Sequence, residues 1–211
     1  MQMRWMAAAA AALALAACAS PAERVAYRAR VALAEVQRAG VAAREGGAAE
    51  PVREVSPQTF RYADALVEAE LTAKDPSWIT AAGSIRFSLR NRSNATVHVI
   101  WDEAVFIFPN RTSSRVVHEG TSWADRNQSQ APTPIPPGTL VQEEAIPASR
   151  IWVSEGNHWQ LDPLLYTNDR VPGARLGLML PIQTPAGRAD YTFWFEVFDP
   201  KAVAVVPGAA R

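Results

Sequence analysis

The chain has 211 residues, and its 21 lysines and arginines are balanced by 21 aspartates and glutamates. That balance leaves no overall basic surplus of the kind that marks nucleic-acid binding. A single cysteine excludes an intrachain disulfide, so any folded domain must stand on its hydrophobic core alone.

The first segment, residues 1–17, has one cation, Arg4, followed by an unbroken apolar run from Trp5 to Ala17. This is the pattern of a secretory signal, too short to span a bilayer of ~30 Å hydrocarbon thickness as a permanent helix. It ends in Leu15-Ala16-Ala17-Cys18, which looks like a lipobox. The expectation is cleavage before Cys18 and transfer of diacylglycerol to its thiol. The alternative is an ordinary secretory cleavage with Cys18 incidental, which would leave a free thiol in an exported protein. Ala19 is not aspartate, which in a diderm host resembles the lipoproteins sorted to the outer membrane. The predicted location is therefore the outer membrane, lipid-anchored and facing the periplasm, with the inner membrane or the cell surface as alternatives.

Residues 18–56 are rich in alanine and arginine and poor in large apolar residues. They read as a tether, with a helix allowed over residues 21–44 and Gly46-Gly47 as its stop. The folded domain is expected over 57–200, with 201–211 as a tail. Within it the hydrophobic period is two. Val67, Ala69 and Leu71 share a face, as do Ile85, Phe87 and Leu89, then Val97, Val99 and Trp101. Asn91-Arg92-Ser93-Asn94 reads as the turn of a hairpin joining the last two strands. Residues 104–109 and 114–118 form a second expected hairpin. Pro132, Pro134, Pro136 and Pro137 forbid a central strand in the loop that follows. Short strands are expected over 140–146 and 151–153, then an aromatic-bearing loop over 157–171. Two strong strands follow, one carrying Leu176, Leu178 and Leu180, the other Tyr191, Phe193, Phe195 and Val197. Short strands with Pro and Gly corners and no βαβ rhythm predict an all-β fold, an antiparallel β-sandwich of immunoglobulin-like architecture.

The motifs Leu89-Arg90-Asn91-Arg92-Ser93, Trp101-Asp102-Glu103-Ala104, Ser114-Arg115-Val116-Val117-His118, Asp125-Arg126-Asn127 and Pro136-Pro137-Gly138 together resemble an uncharacterised bacterial lipoprotein family. The likeness spans roughly residues 60–200. It implies a lipid-anchored, β-rich exported domain and supplies no set of catalytic residues. More loosely, the strand–Asn-rich turn–strand opening looks like sandwich domains that serve as adhesive modules.

Two clusters are candidate sites. Asp102, Glu103, His118, Asp125 and Arg126 bring carboxylates and an imidazole together in sequence, which suits proton transfer or a divalent metal. Pairing of residues 97–108 with 114–118 through a turn at 110–113 would set His118 opposite roughly 104–106, near Asp102 and Glu103. The spacing carries no metal or nucleophile signature, and the competing reading is structural. In it, Asp102 and Glu103 pair with Arg115 or Arg126 and hold the proline-rich loop to the sheet. The second cluster is aromatic: Trp123, Trp159 and Tyr166, with Trp152 nearby, as a binding patch or as satellite packing under long loops. Asn91, Asn94, Asn110 and Asn127 each begin an Asn-x-Ser/Thr triplet and read as turns. The expected function is a non-enzymatic envelope module with a protein partner, membrane-held through Cys18 and calling for no cofactor. A glycan or peptidoglycan binder is the first alternative. A metal-dependent hydrolase using Glu103, His118 and Asp125 is the second.

Overall fold

The computed structural model describes residues 24–40, 48–73, 83–166 and 172–206, with the backbone alone at 24–30, 73 and 199–206. In chain order the strands are β1 (Arg24–Ala39), β2 (Arg53–Ser56), β3 (Thr59–Ala63), β4 (Val67–Ala73), β5 (Ile85–Asn91), β6 (Val97–Val99) and β7 (Val105–Ile107). Then come β8 (Ser113–His118), β9 (Thr133–Ile135), β10 (Leu140–Pro147), β11 (Ile151–Ser154), β12 (His158–Leu161), β13 (Arg175–Thr184) and β14 (Gly187–Val206). Three 3-10 turns, Trp101–Glu103, Trp123–Asp125 and Ala148–Arg150, interrupt them.

One layer runs β1-β14-β13-β7, with β6 also on β13 and β9 on β6; the other runs β10-β5-β4-β3-β2. Strand β8 belongs to both. Its residues Ser113 to Arg115 pair with β7, whereas Val116 to His118 pair with β10. A strand that changes sheet in mid-length makes a corner and lets one continuous antiparallel sheet fold over itself. The result is the predicted all-β sandwich, closed far enough to be nearly barrel-shaped.

The core follows from strand alternation. Ile85, Phe87, Leu89 and Asn91 of β5 are buried while Arg86 and Arg90 are exposed. Tyr191, Phe193, Phe195 and Val197 of β14 are buried along one face. The layers meet through edge-on rings: Phe60 on Phe195 at 6.3 Å, and Tyr62 on Phe193 at 6.1 Å. Edge-to-face pairs of this kind contribute about 0.5–1.5 kcal/mol each beyond area burial. On the opposite face of β14, the Trp194 ring lies flat over Gly177. A Cβ at Gly177 would come within 2.9 Å of that ring, so any larger residue there would have to displace Trp194.

Four expectations are corrected. The stretch read as a tether with an allowed helix contains β1, which pairs along its whole length with β14. Alanine favours helix in isolation, but Val31 and Leu33 are buried in the core, and that tertiary burial outweighs local propensity. The tail likewise begins inside a strand, since β14 continues to Val206. Next, β5 and β6 are not a hairpin: β5 pairs with β4 and β10, and β6 pairs with β13 and β9. Asn91 turns the chain from one layer to the other. Its buried amide donates to the carbonyls of Ala95 and Ile135 while its oxygen accepts from the Ser93 N–H and hydroxyl. Last, part of the aromatic loop is a strand, β12, which pairs with β11 in a separate two-stranded ribbon. The proline-rich loop also contains β9, where Pro134 lies opposite His98 of β6, the sheet-margin placement proline tolerates. The β7–β8 hairpin forms as expected, turned by Asn110, whose side chain accepts from Thr112.

Candidate binding surface

The polar cluster resolves into separate partnerships. Asp102 sits on the 3-10 turn between β6 and β7, because Trp101 beside it is driven fully into the core. Its carboxylate accepts from the Ser129 hydroxyl, from the Gln130 N–H at 2.8 Å and from Arg115 at 2.9 Å. These partners hold it below the usual aspartate range, the Ser129 hydroxyl most, then the Gln130 N–H and Arg115. Arg115 also donates to the Gln128 carbonyl at 2.7 Å. Gln130 is buried, donates to the Val116 carbonyl at 2.7 Å and accepts from the His118 N–H at 3.2 Å, so it docks along β8 like a short extra strand. The loop between β8 and β9 is thereby clasped to the sheet through Asp102 and Arg115.

The remaining members point elsewhere. Glu103 pairs with Arg188 of β14. His118 stacks on Trp101 at 4.5 Å and 10°, and its Nδ1 lies 3.4 Å from Glu143 of β10. The β7–β8 register sets Arg115, not His118, opposite Val105, which explains why His118 misses Glu103. Asp125 is exposed on the turn Trp123–Asp125. Arg126 donates to the Trp123 carbonyl at 3.1 Å and carries its guanidinium over the Trp159 ring at 5.1 Å. Among the described residues, no three of His, Cys, Asp and Glu gather where they could share a metal ion.

The aromatic residues divide across the β11–β12 ribbon. Ile151, Val153, Trp159 and Leu161 share one face by register. The inner end of that face packs Ile151 and Leu161 against Val117, Ile146 and Trp123. Its outer end presents Val153 and Trp159, 42% and 36% exposed. On the other face, Trp152 donates to Asp162 at 3.0 Å, and Tyr166 donates to the second oxygen of Asp162 at 2.9 Å. Arg150 lies 3.8 Å over the Tyr166 ring. Burial, reinforced by the bond to Asp162, pushes the Tyr166 hydroxyl up from its ordinary value. Trp159 and Tyr166 are both exposed, as a binding patch requires, but they occupy opposite sides of the ribbon. Trp123 is half-buried and packs with the cluster at the inner end of that face, so it is not part of the exposed patch.

Sequence reasoning missed a heavily bonded polar group among the described residues. Asp64 is buried at the end of β3. One carboxylate oxygen accepts from the Leu66 and Val67 N–H groups, both at 2.8 Å. The other accepts from Tyr62 at 3.0 Å, Tyr191 at 3.0 Å and Arg38 at 3.1 Å. The signal is weak because Arg38 and Tyr191 lie 26 and 127 residues away in sequence. A cleft of about 640 Å³ lies elsewhere, lined by Phe108, Arg111, Pro172, Arg175 and Trp194, and contains none of the predicted site residues.

Cys18, read as the lipidation site, and residues 1–17, read as a signal segment, lie outside the described residues. Among those described, no helix is long and apolar enough to cross a membrane. No protein-family model, no curated protein and no solved structure matches the chain.

Proposed function

We propose that the protein is an envelope lipoprotein, anchored through Cys18 at the outer membrane, whose sandwich acts as a non-enzymatic module for a protein partner. The observation that carries the binding role is the outer face of the β11–β12 ribbon. There an exposed tryptophan and an exposed valine stand side by side on a structured support. Exposed tryptophan beside arginine is the composition of interaction hot spots. The support also limits the entropy lost on binding, because Trp123, Arg126 and the clasped loop behind it are already placed. Arg126 occupies one face of the Trp159 ring, which leaves less of it for sugar stacking and favours a protein partner over a glycan.

The test is a lipid-preserving pull-down from the envelope with wild type and Trp159→Ala. A partner enriched with wild type and lost with Trp159→Ala, at unchanged thermal stability, supports the reading. Absence of an enriched partner with wild type counts against it. Equal sedimentation of both forms with peptidoglycan would move the site away from the ribbon. Cys18→Ser tests the anchor: it should release the protein from the membrane without unfolding the domain.

A further inference from the structure

The β1–β14 pair extends beyond the sandwich. Arg24 to Arg30 of β1 pair with Asp199 to Val206 of β14, forming a two-stranded arm about 20–25 Å long. The register shifts at Ala26/Tyr27 and Arg30/Val31 each skip a residue on β14, Val203 and then Phe198, so the alternation along β1 is unbroken there. Val25, Tyr27 and Ala29 therefore fall on the same face as Val31 and Leu33, and their register partners are Val205, Ala202 and Pro200. Arg24, Arg28 and Arg30 fall on the opposite face, with Lys201 in register with Arg28 and Asp199 with Arg30. The arm thus has one apolar face and one face with four cations against a single carboxylate. Phe198, at its root, is 47% exposed.

We infer that this arm is a membrane-contact element that lies in the headgroup region of an anionic bilayer. The inference rests on lipidation of Cys18. From Cys18 to Arg24 is six residues, which even fully extended reach only about 20 Å. A lipid in the bilayer at Cys18 therefore holds the open end of the arm at the surface, in place of a long tether that would let the domain float free. At that surface an apolar face backed by cations is the composition of interfacial segments: the apolar side enters the headgroup–acyl boundary and the cations meet phosphates. Each cation near an anionic leaflet strengthens contact about fivefold, and salt weakens it.

The test uses the full chain, processed and purified with its lipid, then reconstituted into phosphatidylcholine vesicles with or without phosphatidylglycerol. A fluorophore is placed through Tyr27→Cys or Ala202→Cys, with Val55→Cys on β2 as the control, and lipid-borne nitroxides serve as quenchers. The expected result is loss of emission at positions 27 and 202 but not at 55. That loss should be greatest with phosphatidylglycerol, and reduced by added salt or by Arg24→Gln, Arg28→Gln, Arg30→Gln and Lys201→Gln together. If positions 27 and 202 are quenched no more than 55 while mass spectrometry shows diacylglyceryl on Cys18, the arm inference is overturned and the anchor stands. An unmodified Cys18 overturns both. Protection at position 27 that rises with protein concentration in the absence of vesicles assigns the face to a second copy and also overturns the inference.

Discussion

Asp64 and Asp102 accept bonds from similar sets of partners, yet they do different work. Each takes backbone N–H, hydroxyl and arginine donors. Asp64 is buried, and its partners Arg38, Tyr62 and Tyr191 come from β1, β3 and β14 across both layers. Asp102 is exposed, and its partners hold one surface loop. A bond's contribution depends on what water offers in exchange: at Asp64 nothing replaces a lost partner, whereas at Asp102 solvent does. The first aspartate fixes the fold, and the second positions the loop that supports Trp159.

The largest expected effect follows directly. Asp64→Ala strands an arginine, two tyrosine hydroxyls and two backbone donors, and should cost about 3–5 kcal/mol in urea denaturation. A cost below 1 kcal/mol would dissolve the contrast with Asp102. Next comes alkaline pH. Burial, and then the neighbouring Asp64 charge, push the Tyr62 and Tyr191 hydroxyls above their ordinary value. Tyrosines whose folded pKa is raised stabilise the fold fully below the unfolded value of about 10, and that contribution is lost as pH climbs through the folded value. Stability should therefore fall above about pH 10, and less steeply in Tyr62→Phe/Tyr191→Phe, measured by urea midpoint against pH. Each single Phe variant should cost about 1–2 kcal/mol at neutral pH.

Smaller effects belong to the exposed aspartate. Asp102→Ala should change global stability by no more than about 1 kcal/mol while speeding protease cleavage between β8 and β9. The pH sign is opposite to that of the tyrosines. Because its folded pKa is lowered, the contribution of Asp102 is whole above the unfolded value near 4 and lost as pH falls through the folded value. Loop cleavage by an acid protease should accelerate over that range in wild type and stay flat in Asp102→Ala. Smallest of all, Glu103→Gln removes an exposed partner of Arg188 and should shift stability by about 0.5 kcal/mol or less.

The readable part of the sequence was the part where burial alternates. Ile85, Phe87 and Leu89, or Tyr191, Phe193 and Phe195, announce their strands because each second residue meets the core. Arg24–Ala39 hides its strand because its alanines favour helix locally and the decisive partner, β14, is far away in sequence. The Asn91 turn was legible as a turn, but not as an arch between layers, since both geometries use asparagine. For the candidate sites, the Asp102–Arg115 clasp was foreseeable from strand pairing. The Glu103–Arg188 and Asp64–Tyr191 partnerships were not, because they join segments that only the closed sandwich brings together.

The lengthwise pairing of β1 with β14 also has a mechanical meaning. A pull on the N-terminal end of β1, directed away from the sandwich, would slide one strand past the other and load their whole ladder at once, from Arg24 opposite Val206 to Ala39 opposite Asp190. Shear of this kind resists force far better than peeling, in which hydrogen bonds break one at a time. The strand order thus lets the domain bear tension along β1 without a disulfide to lock it.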